Sequence, residues 1–85
     1  MEKDKKLFHK LLDLVLEKEQ GTPVTMNVSS LTETAEVWFF EVKNGNEFKM
    51  KECYRRCNGH WQKWDEDNRV TYASEAQVLE ALRNA

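Results

Sequence analysis

Most of the side chains able to do chemistry fall in one stretch, Lys49 to Lys63. It holds Cys53, Cys57 and His60, the cations Lys49, Lys51, Arg55, Arg56 and Lys63, and the aromatics Tyr54 and Trp61, with Trp64 next along. A structural zinc site needs four ligands in a tetrahedron, and Cys53 and Cys57 sit at the upper limit of the knuckle spacing. His60 could be a third ligand, and His9 would have to come across from the N-terminal segment as the fourth. Nothing in the pattern demands that, so neither metal nor cofactor is expected. A thiolate nucleophile would gain from Arg55, Arg56 and His60 nearby, but no thiol-enzyme signature surrounds either cysteine.

Carboxylates offer less. Asp65, Glu66 and Asp67 adjoin one another, yet a general acid needs burial to raise its pKa, and a turn keeps carboxylates solvated. The cluster also lacks the alternate spacing of a calcium loop, and the three glycines are isolated, which excludes a phosphate-cradling loop.

Charge separates this stretch from the rest. Lys49 to Lys63 carries five cations against one acid, Glu52, for a local +4, while the remaining eight cations and fourteen acids give -6. Cations interleaved with aromatics suit single-stranded nucleic acid, with Lys49, Lys51, Arg55, Arg56 and Lys63 on phosphates and Tyr54, Trp61 or Trp64 stacking on bases. The same residue types dominate protein interfaces, and there Trp38, Phe40, Tyr54, Arg55, Arg56, Trp61 and Trp64 would form the partner surface. The net charge of the whole chain, -2, does not suit a coat for nucleic acid.

The elements that must position these residues are legible from periodicity. Leu7, Phe8, Leu11, Leu12, Val15 and Leu16 recur at helical steps between Lys3 and Glu19, and Gly21 with Pro23 ends the run near Glu19 or Gln20. From Val24 the period becomes two, with Val24, Met26 and Val28 on one side. Ala35 to Lys43 is apolar on both faces: Val37 and Phe39 point one way, Trp38, Phe40 and Val42 the other. Asn44-Gly45 and Asn58-Gly59 are hairpin turns, Glu47 to Lys51 resumes alternation with Phe48 and Met50 inward, and Cys53 to Cys57 either prolongs that strand or links it onward. His60 to Asp65 and Arg69 to Ala73 follow as strands, with Val70 and Tyr72 sharing a face. Ser74 and Gln77 have the spacing of a capping box opening a helix with Val78, Leu79 and Leu82 inside.

The expected fold is therefore α+β: an N-terminal amphipathic helix, an antiparallel meander of four or five strands and a C-terminal helix, with both helices on one face of the sheet. Its core is expected to hold Leu7, Phe8, Leu11, Leu12, Val15, Val24, Met26, Val28, Val37, Phe39, Phe48, Val70, Val78, Leu79 and Leu82. Residues 1–85 make one domain, because so short a chain cannot fill a second core. The order resembles that of double-stranded RNA-binding domains in topology alone, since Ser74-Glu75-Ala76-Gln77 stands where those domains carry a Lys-rich, phosphate-gripping segment. No run approaches the roughly 20 apolar residues of a membrane span, and a cytoplasmic location is expected. The expected function is non-enzymatic: a small adaptor or regulator, of the kind bacteria and phages encode, that binds another protein or a second copy of itself. Single-stranded nucleic-acid binding through Lys49 to Lys63 is the alternative.

Overall fold

The computed structural model describes residues 2–45 and 47–85, with side chains from residue 5 onward. Helix α1 (Glu2–Leu16) is followed by strands β1 (Val24–Ser29), β2 (Thr34–Lys43), β3 (Glu47–Cys57), β4 (His60–Asp65) and β5 (Val70–Ala73), and by helix α2 (Glu75–Asn84). The fold is α+β. The strands form one antiparallel sheet in chain order, β1-β2-β3-β4-β5, because each connection is short enough to pair neighbours.

Turn chemistry sets the registers. Asn58 and Gly59 take φ of 53° and 79° between the paired Cys57 and His60, the left-handed pair of a two-residue hairpin that matches strand twist. Between β4 and β5 the Asp65 carboxylate accepts from the amides of Asp67 and Arg69, both at 2.9 Å, so it folds the turn rather than doing chemistry. At α2 the capping box is closed: Ser74 Oγ accepts from the Gln77 amide at 3.2 Å, and Gln77 Oε1 accepts from the Ser74 amide at 2.7 Å.

Both helices lie on one face of the sheet. Leu7 and Leu11 of α1 and Val78, Leu79 and Leu82 of α2 are buried with Val37, Phe39, Tyr54 and Trp61 of the strands. Each fully buried aliphatic among these contributes roughly 1.5–3 kcal/mol over its exposed state. Lys18 ties the two helices together at their ends, donating from Nζ to the main-chain oxygens of Arg83 (3.4 Å) and Ala85 (3.2 Å), where a helix terminus favours a cation.

Several core expectations are corrected. Helix α1 ends at Leu16 rather than near Glu19, where the Lys18 amide bonds to the Val15 carbonyl and tightens the last turn. Leu12 is exposed because Leu7, Phe8, Leu11, Leu14 and Val15 already make the inward stripe and Leu12 lies to one side of it. Val28 is exposed on the free edge strand. Phe48, Met50 and Val70 are not inward at all. A bulge lies opposite the Phe39/Phe40 step: Phe39 pairs with Glu52 but Phe40 pairs with Met50, which leaves Lys51 as the extra residue on β3. Even-numbered residues of β3 face the helices after the bulge and turn away before it, because a one-residue slip moves every side chain to the opposite side. Val70 pairs with Trp64 and shares its outward orientation.

Candidate functional site

The side of the sheet away from the helices can be read row by row from the registers. One row runs Thr25, Trp38, Cys53, Trp64, Val70, and the next Asn27, Glu36, Arg55, Gln62, Tyr72. Past the bulge come Phe40 beside Met50, then Val42 beside Phe48. Among the described residues no helix or strand covers this face. The rings of Trp38 and Phe40 stack at 6.2 Å with an interplanar angle of 13°, and Phe48 meets Phe40 edge-on at 6.4 Å. Phe48 is 65% exposed and Tyr72 84%, and Val42 and Val70 are exposed as well.

The opposite face takes the other half of the aromatics. Phe39 and Tyr54 meet edge to face at 5.8 Å beneath the helices, and Trp61 is only 3% exposed. Tyr54 and Trp61 are thus core residues, not part of a partner surface. Two cations seal their rim: the Arg56 guanidinium lies 5.9 Å from the Trp61 ring centre, and Lys63 Nζ lies 5.8 Å from that of Tyr54. Lys63 is also paired with Glu52 at 3.2 Å, and Glu52 in turn receives the Tyr54 hydroxyl at 3.4 Å. Burial, with the Glu52 charge and hydrogen bond beside it, pushes the Tyr54 phenol up to about 12.

The five cations are therefore not gathered. Arg55 lies on the open face, Arg56 and Lys63 on the covered one, Lys51 at the bulge, and Lys49 pairs with Glu66 at 3.8 Å on the helix side of the hairpin. The interleaving of aromatic and basic residues in the sequence is mostly the sealing of a core.

The cysteines are also held apart. Cys53 and Cys57 lie on the same side of an extended strand, four residues and hence about 13 Å apart, too far to share one metal ion. Cys57 is paired with His60, while His9 is on the helix that covers the other face. Among the described residues no group of three or more His, Cys, Asp or Glu is placed to hold a metal. Cys53 is 3% exposed, flanked across the strands by Trp38 and Trp64. Its burial and the nearby Glu36 push the thiol up to about 12 against the pull of Arg55, so at neutral pH it is protonated, the reverse of an activated nucleophile. A groove of about 340 Å³ opens beside the bulge, where Lys51 and Glu52 meet Phe39, Phe40 and the end of α2.

No family model, curated protein or solved structure matches this chain. The chemistry of the open face must then speak for itself: a row of stacked rings, flanked by one acid and one guanidinium, on a rigid sheet. Phe48, Val70 and Tyr72 belong to that face, and periodicity alone missed them because the bulge and the β4–β5 register decide their side. Among the described residues no helix is long and apolar enough to cross a membrane.

Proposed function

We propose that this protein is a non-enzymatic interaction domain whose working surface is the open face of the sheet, centred on Trp38, Phe40, Phe48 and Trp64. The observation that carries the reading is concentration. Of the eight large apolar residues left exposed among the described residues, Val42, Phe48, Val70 and Tyr72 lie on this one face. Phe48 and Tyr72 leave most of a full aromatic area of roughly 150–250 Å² each open, and with Val42 and Val70 the face reaches the few hundred Å² that mark binding surfaces. Stacking and edge contacts fix the rings before any partner arrives, which lowers the entropy lost on binding. Trp38 is held further by the hydrogen bond from its Nε1 to Glu36 Oε2 at 3.1 Å.

Nucleic acid is the weaker reading, because phosphate contacts need cations on the face that stacks the bases, and among the described strand residues Arg55 alone is paired into the face of Trp38 and Trp64, with Lys51 at the bulge. The test is photo-cross-linking in cells, with a benzophenone side chain in place of Phe48 or Tyr72 on the open face, or of the exposed Lys10 on α1. Discrete protein adducts are expected from positions 48 and 72 and not from 10. Adducts only from position 10, or from none, overturn the reading.

A further inference from the structure

We infer that the occupant of the open face is a second copy of this chain, in a twofold dimer whose axis runs along the seam between β2 and β3. The inference rests on the open face being a protein-binding surface and names its partner. Three features lead to it.

The first is area. The chain exposes 6235 Å², whereas a compact monomer of its mass exposes roughly 5300 Å². The surplus is close to the about 800 Å² that each partner contributes to a standard interface. A radius of gyration of 12.8 Å and extents of 41 × 29 × 24 Å describe the same flattened, elongated shape, a sheet with one side bare.

The second is charge. Apart from His60, the strands place two ionisable groups other than thiols and a phenol on the open face, Glu36 and Arg55, side by side in one row. A face with one acid and one cation is nearly neutral and can meet itself without net repulsion.

The third is an unpaired charge. Among the described residues Arg55 has no carboxylate within ion-pair distance. Glu36 spends one carboxylate oxygen on Trp38 and keeps the other.

Symmetry then selects the arrangement. In a face-to-face pair the twofold axis lies between the sheets, and an axis parallel to the strands keeps each row against the same row of the partner. Along the β2–β3 seam it sets Glu36 over the partner's Arg55, and the partner's Glu36 over Arg55. It also sets Trp38 against the partner's Cys53, Phe40 against the partner's Met50 and Val42 against the partner's Phe48. An axis along β3 opposes Arg55 to the partner's Arg55. An axis across the strands either sets each charge on its own copy or buries the charged row against apolar rows, depending on where it crosses. Only the seam axis pairs both charges and keeps apolar rows together.

Sedimentation equilibrium on the full chain tests this. The wild type should be dimeric, and Glu36→Arg or Arg55→Glu alone should weaken the dimer by about 100-fold or more, because each puts like charges in apposition. The two variants mixed in equal amounts should form a heterodimer. That result separates contact between chains from repair within one, since each variant still carries two like charges at positions 36 and 55 of its own sheet. Phe48→Asp, at a residue too exposed to be needed for folding, should also be monomeric. A wild type that stays monomeric at ~500 μM, a weak association of little biological use, overturns the inference, and so does a mixture that fails to pair. The cross-linking at position 48 keeps the two proposals distinct. An adduct of twice the chain mass supports both, an adduct of another mass overturns self-pairing and leaves the open-face reading standing, and no adduct overturns both.

Discussion

The two faces of this sheet are built from alternate residues of the same five strands, yet they solve opposite problems. The covered face takes Val37, Phe39, Tyr54 and Trp61 under two helices and seals its rim with Arg56 and Lys63. The open face takes Trp38, Phe40, Phe48 and Trp64, orders the first three by ring contacts and leaves Phe48 exposed and the others half-buried. Cations on the covered side hold the fold, whereas Arg55 on the open side has no carboxylate within ion-pair distance among the described residues. Aromatic content therefore says little about function until the face is known. Burial decides which rings contribute to the core and which stay in reach of solvent.

Stability measurements should break this comparison first if it is wrong. Trp61→Ala should cost about 3–5 kcal/mol, the range for removing a large buried aromatic, while Phe48→Ala should cost under about 1 kcal/mol in dilute solution, where association adds nothing. Urea unfolding at one low, fixed protein concentration reads both. Equal losses at the two positions would mean that the open face belongs to the core.

Alkali probes a pair of neighbours on opposite faces. Cys53 and Tyr54 both hold their protons in the fold to about 12, against 9.0 and 10.0 for the ordinary groups. As pH rises from 9 the unfolded chain releases these protons first, so it binds fewer than the fold and stability falls, by up to ~1.4 kcal/mol per pH unit for each group. The contribution is complete below pH 9 and is lost as pH climbs towards 12. Cys53→Ala should abolish the early part of the decline, between pH 9 and 10, and leave the later part due to Tyr54. Unfolding followed across that window by circular dichroism decides it. An unchanged early decline would show that the open face does not bury Cys53.

Much of this architecture was legible in the sequence because it rests on local rules. Helical spacing gave both helices, Asn58-Gly59 its hairpin, and Ser74 with Gln77 its cap, each depending on residues close along the chain. The sides of Phe48, Met50 and Val70 were not legible, since a bulge at Lys51 and the pairing of Trp64 with Val70 are settled by packing between strands. The open face was half legible. Val37 to Phe40 announced surplus aromatic surface, but Tyr54 and Trp61 looked like part of it only because sequence does not show which alternate residues the helices cover. The cations of the +4 segment are divided for the same reason: period two sends neighbours to opposite faces.

The smallest expected effect concerns nucleic acid, and it sharpens the comparison by being near zero. A single strand gripped by this protein would need several cations and a stacking ring on one surface, and its affinity would fall steeply with salt as counterions are released. Arg55 and Arg56 are consecutive residues of a strand and point to opposite sides, while Lys63 and Lys49 already face Glu52 and Glu66. That leaves Arg55 beside Trp64 and Trp38 and Lys51 at the bulge, two phosphate contacts at most, while the chain outside Lys49 to Lys63 carries -6. We expect no binding of a labelled single-stranded oligonucleotide at ~150 mM salt, where screening acts within about 8 Å and two separated cations add little. Arg55→Glu with Arg56→Glu should then change nothing that fluorescence anisotropy can read. Micromolar binding that steepens at low salt and vanishes in the double variant would make the interleaved segment a nucleic-acid surface. It would also mean that Arg55 and Arg56 can reach one ligand from opposite faces, which a flat strand cannot arrange and only a rearranged β3 could.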